Sequence, residues 1–264
     1  MSPLYKPNSQ SVCHRQNADK RAVCKTYQEQ KLPLPLKNTY LYMSNISTEY
    51  FAFFKELTQN NNREWFHANK PRFETHAREP FYGLVEAIAA HLVSDEPYLA
   101  ALTGKEATFR INRDIRFGAD KSPYKLYLSA CINAGGTKNK DVPGHYLELG
   151  YGELVVGGGA YFVEKEWLLR IRRAIAADPQ HFAALTNAPE FVQYFGEIKG
   201  ARNKRLAPEF AAVQGITPYI ANTQFYWMTS LPPTQAATAD AADVIATYYR
   251  ATLPLVAFFK QALG

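Results

Sequence analysis

The chain is poor in sulfur: three of its 264 residues are cysteines (Cys13, Cys24 and Cys131), odd in number and widely spaced. That spacing matches no zinc-ligand pattern and argues against a disulfide framework, which makes a reducing cytoplasm the natural home. Long apolar runs are missing too. No stretch approaches the roughly 18–20 residues of a bilayer span, so no membrane partner is expected. There is no P-loop, and Gly157-Gly158-Gly159 fails the dinucleotide fingerprint because its last position would be Phe162. None of the six histidines sits in a recognisable catalytic motif. Glu64-x-x-His67 has the spacing of a carboxylate-bridged metal pair, but it occurs once where a two-metal site needs two copies. No metal site is expected, and no motif indicates a cofactor.

Charge of one sign is in excess, but only locally. The net charge is +6. Residues 1–42 hold 7 basic and 2 acidic side chains, a net of +5, and leave the remainder at +1. A near-neutral body disfavours duplex nucleic acid, which calls for several phosphate contacts on a broad basic face. The leader has no apolar core of a secretory signal, only Leu32-Pro33-Leu34-Pro35-Leu36. It reads as a disordered tail or an over-extended start, with 43–264 as one domain.

What the chain has is apolar and aromatic: 47% of residues are hydrophobic, with 17 Tyr, 16 Phe and 3 Trp, enough for a sizeable core. Tyr50, Phe53, Phe54 and Leu57 fall at i, i+3, i+4 and i+7, the stripe of an amphipathic helix capped by Ser47 or Thr48. Asn60-Asn61-Asn62 ends that helix and caps a second one carrying Trp65, Phe66 and Phe73. Pro80 then opens a third, with Phe81, Leu84, Val85, Ile88 and Leu92 on one face.

The period then changes. Strands are expected over 107–117, 124–132, 145–151 and 153–158, with Gly150-Tyr151-Gly152 as a hairpin turn and 133–144 as a long exposed loop. Helices return over 164–177, 179–186 and 189–195. An extended region covers 216–229, and a final helix, broken at Pro254, covers 237–263. Strands joined by tight turns, with helices segregated to their sides, make an α+β fold built on an antiparallel sheet.

The densest chemistry lies in 110–124. As a strand, 108–117 turns Phe109, Ile111, Ile115 and Phe117 one way and Thr108, Arg110, Asn112, Asp114 and Arg116 the other. Arg113 falls on the apolar face, where a guanidinium needs a carboxylate, carbonyls or an anion. A helical reading also groups Arg110, Arg113, Asp114 and Phe117, but the aromatic and β-branched content favours a strand. Arg110, Arg113, Arg116 and Lys121 would hold a phosphate or carboxylate, with Asp114 orienting guanidiniums and Tyr124 capping the site. Asn62, Trp65, Asn69 and Lys70 share a helical side and would wall that site; more plainly, Asn62 is a cap and Trp65 is core.

Two other readings stand beside the ligand site. Asp114 and Asp120, with Glu197-Ile198-Lys199, imitate the carboxylates and lysine of a metal-dependent phosphoesterase or nuclease. Alternatively, the charges form an internal salt-bridge lattice in an interaction protein.

The string Arg110-x-x-Arg113-Asp114-x-Arg116-Phe117-x-x-Asp120-Lys121-x-x-Tyr124 resembles the hallmark of a bacterial domain-of-unknown-function family, number 2461. The likeness runs from about Thr48 to Leu263. It takes in Asn61-Asn62-Arg63-Glu64-Trp65-Phe66, the glycine triplet and Lys204-Arg205-x-x-Pro208, and leaves out 1–42. The resemblance implies no particular reaction, but it favours a ligand site, because a lattice of ion pairs rarely needs so fixed a string.

Overall fold

The computed structural model describes residues 46–116 and 119–264. The leader 1–42 and Phe117 lie outside the described residues.

Helix α1 (Thr48–Gln59) buries Tyr50, Phe53, Phe54 and Leu57, the four positions of its stripe. Asn62 caps α2 (Arg63–Ala68) by accepting the Trp65 amide at 2.9 Å. The chain is then helical from Lys70 to Leu92, and Pro80 stands in the first turn of the helix that carries the expected apolar face. A short α3 (Lys70–Phe73) leads into one π-helical turn (Glu74–Arg78) and on into α4 (Glu79–Leu92). In the wide turn the Glu79 amide bonds the Glu74 carbonyl five residues back. The hydrogen-bond register shifts just before Pro80, whose missing N–H would otherwise break the ladder.

Four strands follow: β1 (Tyr127–Ile132), β2 (Gly144–Gly150), β3 (Leu154–Ala160) and β4 (Phe225–Leu231). They form one antiparallel sheet in sequence order. The turn between β2 and β3 closes where expected, with the Gly150 amide on the Glu153 carbonyl at 3.0 Å. The protein is α+β.

Of the strand expected over 107–117, the described residues 107–116 form no regular strand. A single helical turn, α5 (Gly104–Ala107), precedes it, and it meets its neighbours only at isolated bridges, Thr108 with Ala130 and Asn112 with Tyr124. The expected alternation survives without a ladder: from Ile111 to Arg116, buried or half-buried residues alternate with exposed ones. Nor is 133–144 a simple exposed loop. Asn133 is fully buried and donates to the carbonyls of Asn139 and Val142, folding the segment over a short 3-10 turn at Gly136–Asn139.

The helices beyond the sheet are α6 (Lys165–Ala177), α7 (Pro179–Thr186), α8 (Pro189–Phe195), α9 (Pro208–Ala211), α10 (Ala241–Arg250) and α11 (Leu253–Leu263). The last two stand where one broken helix is expected, parted at Ala251–Thr252 just before Pro254. The region 216–229 divides into a 3-10 turn (Pro218–Ala221) and β4. The guanidinium of Arg172, buried on α6, binds the carbonyls of Ile220, Ala221 and Asn222 and holds that turn in place.

One face of the sheet is core. Leu128, Ala130 and Ile132 of β1, Leu147 and Leu149 of β2, Leu154 and Val156 of β3, and Phe225 and Trp227 of β4 are all buried. Each large side chain so placed contributes roughly 1.5–3 kcal/mol of transfer free energy. Tyrosine hydroxyls from two helices tie that layer to the central strand: Tyr50 donates to the Leu149 carbonyl and Tyr249 to that of Tyr146, both at 2.8 Å. The opposite face, with Tyr127, Cys131, Tyr146, Glu148, Tyr226 and Met228 half-buried, carries the functional interest.

Candidate functional site

The structure distributes the six residues expected to bind an anion. Arg113 pairs with Asp120, and its amide donates to the Pro123 carbonyl at 2.9 Å. The guanidinium predicted to need a partner finds one seven residues on. Arg116 grips Asp114 with two bonds, Nε to Oδ1 at 2.9 Å and an Nη to Oδ2 at 2.6 Å. The Arg116 bonds hold the Asp114 carboxyl well below the usual carboxylate range. Ser122 and then Arg113 do the same for Asp120. Lys121 donates to the Ile115 carbonyl at 2.9 Å. These contacts give the segment 113–122 its shape.

The Tyr124 ring is buried and stacks on Phe66, with centroids 4.0 Å apart. Arg110 is exposed and forms no hydrogen bond or ion pair among the described residues. Asn62, Trp65, Asn69 and Lys70 take the plain reading. Asn62 is a cap, Trp65 packs on Phe53, Asn69 donates to the Trp65 carbonyl, and Lys70 is exposed. Asn61, next to that group, joins Phe66 in touching the hallmark segment. Its amide donates to the Tyr124 carbonyl at 2.9 Å and accepts the Tyr124 amide at 3.1 Å.

The nuclease-like grouping is not assembled. The segment carrying Asp114 lies beyond β1, whereas Lys199 bridges Tyr226 beyond β4. Among the described residues no three His, Cys, Asp or Glu side chains are grouped to hold a metal.

Hollows of ligand size among the described residues include two. One, of about 510 Å³, is lined by Arg78, Glu79, Tyr82, Gly83, Glu86 and Lys105. Its charges are largely committed, Arg78 to Glu74 and Glu86 to the Gly104 amide at 2.7 Å. The other, of about 410 Å³, is a groove on the open face of the sheet. Strand alternation supplies Tyr127, Ser129 and Cys131 from β1, Tyr146 from β2, and Tyr226 and Met228 from β4. Lys140 and Val142 reach it from the folded 133–143 segment, and Tyr161 and Phe162 from the end of β3. Phe109 and Lys125 bring the hallmark segment to its edge.

The glycine triplet is explained here. A Cβ at Gly157 or Gly159 would run into the backbone of β4, and Gly159 has φ +120°. Close packing of β3 on β4 therefore demands glycine, and bare backbone at Gly158 and Gly159 lies against the groove.

Burial sets the electrostatics. It lowers the Lys125 pKa, a shift that Glu148 opposes and Arg110 reinforces. Lys125 makes no ion pair among the described residues; its ammonium sits 5.4 Å from the Phe109 ring centre and 5.8 Å from that of Tyr127. Burial raises the Glu148 carboxyl, although the Tyr146 hydroxyl donates to it at 2.6 Å. The Cys131 thiol is pushed up to about 12 by burial, so it is protonated at neutral pH and no nucleophile. The groove offers aromatic walls and cationic ends without a reactive thiol or a metal cage.

Sequence reasoning did not find this groove, because its residues come from the second face of three strands. The only signals were the glycine triplet and the polar or aromatic alternates at Tyr127, Ser129 and Cys131. A family model described as "Conserved hypothetical protein (DUF2461)" matches residues 49–258. No curated protein and no solved structure matches the chain.

Proposed function

The chain belongs to that family, whose description names no activity, and from the geometry of its groove we propose that it binds a small ring-bearing anion on the open face of the sheet. The observation that carries this reading is Lys125, a half-buried cation without a carboxylate at contact distance, set between two aromatic rings in a ligand-sized groove. A cation held out of water attracts an anion more strongly than an exposed one does. Aromatic walls favour a flat or ring-bearing body over bare inorganic phosphate.

Within this reading the hallmark residues divide. Arg110, within electrostatic reach of Lys125, adds positive potential at that end of the groove. Arg113, Asp114, Arg116 and Lys121 set the shape of the segment between Asn112 and Tyr124, and the buried Tyr124 anchors its return. The anion site therefore belongs to Lys125 and Arg110 and not to all six residues together.

Calorimetric titration with phenyl phosphate, benzoate and nucleoside monophosphates, each beside its uncharged counterpart, tests this. The anionic member of a pair is expected to bind and the neutral one to bind at least tenfold more weakly, the size of one charge-assisted contact. Lys125→Met should remove that preference and Arg110→Ala should reduce it. Unchanged binding in Lys125→Met, or no ring-bearing anion bound by the native protein, overturns the reading.

A further inference from the structure

The groove has a second cation. Lys140 lies on the folded segment after β1, its ammonium 4.7 Å from the centre of the Phe162 ring. It makes no ion pair among the described residues. The two lysines stand at opposite ends of β1. Lys125 precedes Tyr127, whereas Lys140 follows Ile132 on a segment pinned beneath Asn133 by the Asn139 and Val142 carbonyls. Between them lie Tyr127, Ser129 and Cys131, all on the groove side of the strand. From residue 125 to residue 131 an extended chain advances about 20 Å at roughly 3.3 Å per residue.

Each ammonium sits over an aromatic ring that also faces the groove, an arrangement that keeps a long side chain from wandering. Glu148, half-buried beside Tyr146, lies toward the Lys125 end in register with Ser129, and Asp141, next to Lys140, is within electrostatic reach of the Cys131 thiol at the other end, though neither carboxylate lines the groove. Neither ammonium has a carboxylate at ion-pair distance among the described residues, and the two lysines leave the backbone at opposite ends of β1.

We propose that the ligand of this groove carries an anionic group at each end, one for Lys125 and one for Lys140, with a ring-bearing body lying across the aromatic walls between them. This rests on the single-anion reading above and narrows it to an elongated dianion. A dianion of matching length gains a second charge contact without a second loss of translational freedom. Too short a ligand reaches only one lysine.

Matched probes separate the two readings. Phenyl-, biphenyl- and terphenyl-spanned dicarboxylates would be titrated beside the same molecules with one carboxylate replaced by methyl. The longer diacids are expected to bind at least tenfold tighter than their methyl partners, and the phenyl diacid to show little advantage. Lys140→Met should abolish the diacid advantage and leave monoacid affinity unchanged, and Lys140→Arg should restore it. Lys125→Met should weaken both classes. Equal affinity for monoacids and diacids in the native protein overturns the dianion but leaves the single-anion site standing. So does a diacid advantage that survives in Lys140→Met. If no monoacid and no diacid binds the native protein, both readings fall.

Discussion

At the scale of single residues, polar side chains here mostly serve backbone. Asn61 is the sharpest case: one primary amide presents a donor and an acceptor to the amide and carbonyl of Tyr124, as a neighbouring strand would. It thereby fastens the end of α1 to the returning arm of the hallmark segment, whose own pairing is a single bridge. Asn61→Ala leaves two backbone groups without partners in a half-buried place. A loss of about 1–3 kcal/mol is expected in the urea midpoint, and Asn61→Asp, which keeps only the acceptor, should recover little of it. The arginines differ. Arg116 is three-quarters exposed, and a pair so wet contributes little to stability, so its bidentate hold on Asp114 directs chain geometry.

At the scale of elements, Gly159 shows how strand packing and groove share a cause. Its positive φ and the Phe225 carbonyl beside it exclude any side chain. Gly159→Ala is expected to cost on the order of 1–3 kcal/mol from backbone strain alone and to loosen β3 from β4. Faster amide hydrogen exchange at Val156 and Trp227 would register this, and unchanged exchange would contradict it. The helices were legible in sequence because a 3.6-residue stripe needs only its own residues: Tyr50 to Leu57 and Phe81 to Leu92 are buried as their spacing implies. The hairpin at Gly150-Tyr151-Gly152 was legible from turn chemistry. The ladder over 107–117 was not, because alternation records burial and not pairing, and a segment turning back at 113–122 pairs at single points. Pro80 marked the start of the third helix, but the π-turn before it was not legible, because hydrogen-bond register leaves no composition signal. The groove was least legible of all: alternation says that Tyr127 and Tyr146 face away from Leu128 and Leu147, not what covers them.

At the scale of the whole molecule, a buried charge cluster joins elements distant in sequence. Glu96, just ahead of the 3-10 turn Pro97–Ala101, receives His145 of β2 at 2.7 Å and Lys260 of α11 at 2.6 Å, and Tyr98 donates to the same carboxylate. Burial alone would raise the Glu96 carboxyl, but bonding and charge from His145 and Lys260 overcome it and hold it at about 2. A carboxyl lowered by folding stabilises the native state above its unfolded value of about 4.3, and that stability drains away as pH falls toward 2. Glu96→Gln leaves the Lys260 ammonium and the His145 ring facing a neutral amide in a nearly dry site. It is expected to cost about 3–5 kcal/mol at pH 7 and to flatten the fall in stability between pH 4.5 and 2. Thermal melts across that range decide it; a parallel curve for the variant would mean that Glu96 does not carry the acid sensitivity.

The margins of the sheet have a consequence for the protein in a crowd. Among the described residues the chain pairs beyond β1 through single bridges at Thr108 and Asn112, and beyond β4 through single bridges at Lys199 and Arg202, with Gly200 at φ +146° bending the backbone between the last two. Charged side chains punctuate both stretches. Neither margin offers an incoming chain an unbroken row of amides and carbonyls to copy, which is how natural sheets avoid growing into one another. Irregular margins of this kind are expected to make a poor template for a fibre, whatever the aromatic content of the strands between them.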